Sequence, residues 1–291
     1  MGEQKNLFLA IGLSIAIIVV FQLLFPQQTP TKNIVSEIDE QIQPATSIDD
    51  GETIITQKIK SKEEIINFNK RVVINTSSLS GSINLKGAIL DDLILLKYNE
   101  KLNDNSQKIN LFSPDGTANP YYFELGWKQL SNDTAVIKLP NLETQWSSSG
   151  STLSENKPIT LTWENDQNIT FKIIFEIDEN YLFNISQIIE NNSPNLIKVF
   201  PYRLIKRINL PKTINFFILH EGLISQLDDK LLEKKYGDLL DDCSSVSPGK
   251  KLFCDQKSTG GWLGFTDKYW MATLIPDQNK PINANFRHGN N

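Results

Sequence analysis

The sequence predicts a mainly β, antiparallel domain, a sandwich or a barrel, carried behind one membrane-spanning helix. Three observations predict it. The stretch Leu7 to Phe25, LFLAIGLSIAIIVVFQLLF, holds no charged residue and only Ser14 and Gln22 as polar side chains. From about Ile65 onward the chain breaks into short runs rich in Ile, Val, Phe, Tyr and Thr at spacings of about 10 residues. Polar turn clusters separate these runs, and no alternation of strand-like and helix-like segments suggests a parallel sheet.

The N-terminal run is about long enough to cross a hydrocarbon core of roughly 30 Å at 1.5 Å per residue. Secretory signal peptides start similarly, but their apolar regions are shorter and end at a small-residue cleavage site. Here the run closes on Gln22-Leu23-Leu24-Phe25-Pro26 with no such site, so an uncleaved anchor is expected over residues 7–25. Lys5 and the terminal amine lie on its N-terminal side, and no Lys or Arg follows it until Lys32. That bias places residues 1–6 in the cytoplasm and the body of the chain across the membrane. Residues 26–64 are dominated by Gln, Thr, Ser, Asp, Glu and Lys, with prolines at 26, 30 and 44 and no sustained apolar period. Such a segment reads as a flexible linker, because it cannot bury enough apolar surface to offset its ordering entropy.

The folded region is expected over 65–291. Its strand candidates are Arg71 to Asn75, Leu79 to Leu85, Ile89 to Tyr98, Tyr121 to Trp127, Thr134 to Leu139, Ile159 to Trp163, Thr170 to Ile177 and Leu182 to Glu190. In one of them Phe171, Ile173, Phe175 and Ile177 alternate with polar residues, the period of a strand with one buried face. Turns are expected at Pro114-Asp115-Gly116, at Asn165-Asp166-Gln167 and from Asn191 to Pro194. Between Gly222 and Leu240 the leucines 223, 227, 231 and 232 alternate with charged residues, as in a short amphipathic helix or a charged loop. Gly260 to Pro276 reads as one long aromatic strand, and Ile282, Ala284 and Phe286 as a further strand cut short. The aromatic residues of the 262–270 stretch read as core, with a face for an extended apolar partner as the other possibility.

Composition narrows the function. The 291 residues, 40% hydrophobic and 22% charged, suffice for one large domain with a real core. A net charge of −5 excludes a nucleic-acid partner of the usual kind, since phosphate binding needs a basic face. The two cysteines, Cys243 and Cys254, allow either a local disulfide or two reduced thiols, and cannot by themselves complete a four-ligand metal site. Catalytic signatures are missing: there is no Gly-x-Ser-x-Gly, no phosphate-binding Gly-x-x-x-x-Gly-Lys and no His-Glu-x-x-His. His220-Glu221 reads as a strand end that caps a turn, with acid/base work as the alternative. The adjacent pairs Asp91-Asp92, Asp228-Asp229 and Asp241-Asp242 read as solvated loops, because neighbours on a strand point to opposite faces. No catalytic, cofactor-binding or metal-binding residue is assigned.

Several motifs together resemble a known family. These are the N-terminal anchor, the polar linker, the run NTSSLSGSINLKGAILDDLILLKY, His220-Glu221-Gly222, Ser258-Thr259-Gly260-Gly261-Trp262, Asp267-Lys268-Tyr269-Trp270 and Leu274-Ile275-Pro276. They resemble the YidC-type membrane protein insertases of Gram-negative bacteria. The resemblance implies an antiparallel β-supersandwich of the kind seen in sugar mutarotases, with a short helical element. It implies residence in the bacterial inner membrane with the main domain in the periplasm. The expected function is a non-enzymatic, cofactor-free insertase and chaperone that helps membrane proteins insert, fold and assemble, with or without the Sec translocon. The expected partners are that translocon, the SecD-SecF accessory proteins, nascent membrane proteins and the lipid bilayer. Gly260, Gly261, Trp262, Tyr269 and Trp270 carry the resemblance as structural residues. The family's activity resides in a later five-helix bundle, and no apolar run of 18 or more residues follows Phe25, so the chain reads as an N-terminal portion whose sheet looks truncated at its end. The alternative on the same sandwich is an envelope carbohydrate-binding or aldose-epimerase-like protein using His220 and Glu221.

Overall fold

The computed structural model describes residues 12–13, 59–101, 106–129, 136–211, 219–238 and 255–287, and from Arg71 onward strands follow one another along the described chain. The chain divides into two compact units, Met1–Ile54 and Ile55–Asn291. Of the first, only Gly12 and Leu13 are described, both helical. Apart from these two residues, the expected anchor lies outside the described residues, as do most of the expected linker and the cysteine pair. Among the described residues, no helix is long and apolar enough to cross a membrane.

The second unit opens on one short helix, α1 (Lys62–Ile66), which straddles the expected end of the linker at residue 64. The Ser61 hydroxyl accepts from the Glu64 N–H at 3.2 Å, and the Glu64 carboxylate accepts from the Ser61 N–H at 3.2 Å. This reciprocal pair satisfies two otherwise orphaned donors and fixes where the helix starts. The strands that follow are β1 (Arg71–Asn75), β2 (Leu79–Asn84), β3 (Ile89–Asn99), β4 (Lys108–Phe112), β5 (Tyr121–Gln129), β6 (Ser147–Ser148), β7 (Thr152–Leu153), β8 (Ile159–Glu164) and β9 (Ile169–Ile177). Then come β10 (Phe183–Asn191), β11 (Val199–Arg207), β12 (Gly222–Leu227), β13 (Lys230–Lys235), β14 (Asp255–Thr259), β15 (Trp262–Thr266), β16 (Met271–Leu274) and β17 (Pro281–Asn285).

Two sheets build the main core. The larger has the order β11-β5-β3-β2-β1-β7, with β4 beside β3, and the second has the order β10-β9-β8-β6. All their named pairings are antiparallel except the short β1–β7 contact. On β9 the residues Ile169, Phe171, Ile173, Phe175 and Ile177 are buried while their neighbours are not, as the period of two requires. Phe171 meets Trp127 of β5 edge to face with ring centroids 5.1 Å apart. On β5 itself every residue from Tyr121 to Trp127 is buried, so both of its faces are covered.

Four local outcomes differ from the sequence expectation. Gly222 to Lys235 forms a hairpin, β12–β13, and neither a helix nor a loop. Leucines four apart fit a strand face as well as a helix face, because four residues are two strand repeats. Asp228 and Asp229 turn the hairpin with φ of 45° and 61°, both in the left-handed region that a two-residue turn of this kind demands. The aromatic stretch is also two strands: β15 and β16 pair antiparallel and reverse at 267–270. Residues 136–139 form no strand. The Ile137 N–H donates to Gln129 Oε1, the Lys138 N–H donates to Gln167 Oε1, and Val136 O accepts from Gln167 Nε2, so side-chain amides take the place of a neighbouring strand.

The fourth difference is at Asp91-Asp92, which is buried within β3. The β2–β3 register passes from Ser82↔Asp92 to Ile83↔Leu90, leaving Asp91 as an extra residue in a β-bulge. A bulge breaks strict alternation, and both carboxylates join one polar network. Arg71 donates from Nε to Ser82 Oγ at 2.7 Å and from Nη2 to Asp91, Ser82 Oγ donates to Asp92 Oδ2 at 2.7 Å, and Lys62 Nζ sits 2.6 Å from Asp92 Oδ1. Lys62 thereby ties α1 to the main sheet.

Candidate functional site

The third sheet, in the order β13-β12-β15-β16, and the β14–β17 pair hold the sequence motifs. The chain leaves β14 at Thr259 and enters β15 at Trp262, so Gly260 and Gly261 are the crossover between two sheets. Their φ values are 68° and 88°. A Cβ on Gly260 would lie 2.6 Å from the Gln278 carbonyl oxygen, and one on Gly261 would lie 2.3 Å from that of Gln226. Both positions thus need glycine for conformation and for space. Gln278 clamps the crossover: its Oε1 accepts from the Gly261 N–H at 3.0 Å and its Nε2 donates to Gly261 O at 3.0 Å. The Gly-Gly pair is a structural device.

Beyond β15 the chain turns through Asp267-Lys268-Tyr269-Trp270, closed by the Asp267 N–H donating to Trp270 O at 2.8 Å. The turn is riveted to β11: Arg207 Nη1 donates to Asp267 Oδ1 at 2.7 Å and to the Tyr236 hydroxyl at 2.9 Å, and that hydroxyl donates to the same carboxylate oxygen at 3.2 Å. The Arg207 guanidinium also lies 4.4 Å from the Tyr121 ring centroid. Burial pushes the Tyr236 and Tyr121 hydroxyls well above the usual tyrosine range, so both stay protonated.

The rivet holds out an aromatic rim. Trp270 meets Tyr98, at the end of β3, edge to face at 4.8 Å, and Tyr98 meets Tyr181, in the β9–β10 turn, at 6.3 Å. Tyr269 lies 6.4 Å from Trp270 and is 69% exposed. Lys268 Nζ stands 4.6 Å from the Tyr269 ring and Lys97 Nζ 6.0 Å from the Tyr181 ring. Leu182 and Met271, both about half exposed, extend the apolar surface. Tyr181 has φ of 71°, a left-handed conformation that costs a bulky residue about 1–3 kcal/mol. Asp178 holds that turn in place by accepting from the N–H groups of Asn180 at 2.7 Å and Leu182 at 2.8 Å. The expectation that the 262–270 aromatics form core is therefore corrected. Trp262 and Trp270 are half-buried, with Trp270 packed against the main core, and Tyr269 is exposed. No local pattern in the chain signals that Tyr98 and Tyr181 complete the group.

The other candidates separate. His220 Nε2 lies 2.8 Å from Leu223 O, and since a carbonyl only accepts, that nitrogen carries the proton and caps the start of β12. Glu221 is buried next to it in sequence. Asp228 sits in the exposed hairpin turn and accepts from the Thr259 N–H at 3.2 Å. Asp241-Asp242, Cys243 and Cys254 lie outside the described residues. Among the described residues, no group of three or more His, Cys, Asp or Glu side chains is placed to hold a metal ion.

The family model for the YidC periplasmic domain matches residues 71–291. The chain belongs to this family. The proteins named membrane protein insertase YidC include close matches. That of Cereibacter sphaeroides is 36% identical over 287 residues, 97% of this chain and 45% of its own. That of Methylorubrum extorquens is 40% identical over 227 residues, 78% of this chain and 36% of its own. That of Granulibacter bethesdensis is 34% identical over 294 residues, 98% of this chain and 48% of its own. The chain thus spans less than half the length of these YidC relatives. The glycine crossover, the Arg207–Asp267 rivet and the aromatic rim all fall inside the segment matched to the YidC periplasmic domain.

Proposed function

We propose that the chain is the anchor and periplasmic domain of a membrane protein insertase and chaperone of the bacterial inner membrane. In this reading residues 7–25 span the membrane with the N-terminus in the cytoplasm, the linker expected over residues 26–64 tethers the domain, and the folded unit is a mutarotase-like β-supersandwich in the periplasm. The observation that carries the reading is the family match over 71–291, together with relatives named as insertases along nearly the whole chain. The domain acts as a structural and docking module beside the Sec translocon and SecD-SecF, with no reacting group and no cofactor. Transfer of apolar segments from water into lipid supplies the driving force for insertion. The Cys243–Cys254 disulfide belongs to the same proposal, since the periplasm is oxidising. The aldose-epimerase alternative fares worse, because His220 spends a ring proton on a backbone carbonyl.

Depletion of the full-length protein in its native cells, followed by pulse-labelling of a single-span test substrate, tests the reading. Loss of insertion and recovery of Sec components with the tagged protein are expected. Normal insertion after depletion would overturn it.

A further inference from the structure

We infer that the aromatic rim formed by Tyr98, Tyr181, Tyr269 and Trp270 is a membrane-interface contact, seated at the headgroup level of the bilayer that carries the anchor. This rests on the proposal that Leu7 to Phe25 spans that bilayer. One strand end and two turns, from three different sheets, bring the rings together: the end of β3, the β9–β10 turn and the β15–β16 turn. Tyr and Trp prefer the interface because each joins an apolar body to a polar tip. Lys97 and Lys268 reach over the rings, the arrangement in which a long cationic side chain lays its stem on apolar surface and offers its ammonium to lipid phosphate.

Two of the neighbouring acids are already engaged, while Glu100 and Glu179 stand exposed close to Tyr98 and Tyr181 in sequence. Asp267 is bound to Arg207 and Tyr236, and Asp178 to the backbone of its own turn, so they present less free negative charge to a headgroup. The rim is also held stiffly by the Asp267 rivet and by the left-handed Tyr181, so little ordering entropy is lost on contact. Reach permits the contact if the linker proposed over residues 26–64 is a flexible polar chain, which at that length spans tens of ångströms. A weak patch is enough when its partner is tethered at that range.

The test uses the full chain reconstituted in phosphatidylcholine–phosphatidylglycerol vesicles, with and without lipids brominated near the glycerol end of the acyl chains. All five tryptophans lie beyond residue 126, so the anchor adds no signal. Brominated lipid is expected to quench the emission of the unaltered chain, Trp270→Phe is expected to abolish that quenching, and Lys268→Glu is expected to weaken it more at low salt than at high salt. Vesicle flotation separates the two proposals. A chain that floats with the vesicles while its tryptophans are unquenched, or equally quenched with Trp270→Phe, overturns the rim contact and leaves the anchor standing. A chain that does not float overturns both. Loss of a co-purifying protein in Trp270→Phe without lipid quenching in the unaltered chain also overturns the membrane contact, in favour of a protein partner.

Discussion

Arg71 shows how much a single buried charge can hold. Its Nε and Nη2 bind Ser82 and Asp91 under α1, and both side chains of the ion pair are nearly inaccessible. Removing one member of a buried pair typically costs about 3–5 kcal/mol, so Arg71→Met is expected to lower the denaturant-unfolding free energy at neutral pH by about that much. Burial is the largest influence on Asp91 and raises its pKa above 3.8 even with Arg71 beside it. The folded protein therefore keeps this proton at pH values where the unfolded chain has released it. The stability this contributes is full below 3.8 and is lost as pH rises through the folded value. Without Arg71 that folded value rises further, so the deficit of Arg71→Met should shrink on acidification, because a neutral carboxyl needs no counter-charge. A deficit that is unchanged at low pH would refute this account. At Gly261 the limit is steric: an added methyl would meet the Gln226 carbonyl at 2.3 Å, and the φ of 88° is strained for any other residue. Gly261→Ala should cost about 1–3 kcal/mol in thermal or denaturant unfolding.

The elements of the third sheet depend on one rivet. Phe265 packs against both the main core and the smaller cluster of Leu223, Tyr236 and Phe286, while Arg207 and Asp267 supply the polar link. Asp267→Asn is expected to speed amide exchange across β15–β16 and leave β8–β9 unchanged. Uniform acceleration in both would show that the sheets open as one unit. In the β12–β13 turn, Asp229→Gly should gain about 0.5–1 kcal/mol, since glycine adopts the φ of 61° without penalty. At this scale the sequence was legible where one face is buried and one wet. Strands β1, β2, β3, β5, β8, β9 and β10 stand within a residue or two of their expected places. It was opaque where the signal was shared or contradicted: Leu223 and Leu227 fit two periods, Pro201 disguised β11, and Asp255 to Thr259 of β14 is polar throughout. Of the candidate site, the glycine pair and the Tyr269-Trp270 turn stood out in sequence. Tyr98 and Tyr181, far apart along the chain, join them only through tertiary packing, and the pairing of Asp91 with Asp92 needed a bulge that no alternation rule foretells.

Across the whole molecule, the two large sheets share one core and should unfold together. Phe171 is fully buried between them and touches Trp127 and Trp163. Phe171→Ala is expected to cost about 3–5 kcal/mol and to shift fluorescence and far-ultraviolet dichroism transitions equally. Divergent midpoints would separate the sheets into independent folding units. The order of the main sheet has a further effect at its margin. Among the described residues β11 pairs with β5 alone, and it carries Pro201, Arg203 and Lys206 along its length, with Arg207 already bound to Asp267. Proline withholds a donor and the cations repel close approach, so the margin makes a poor template for a stray strand. In the setting proposed above, beside emerging apolar chains, a domain with such a margin would resist being drawn into their aggregates.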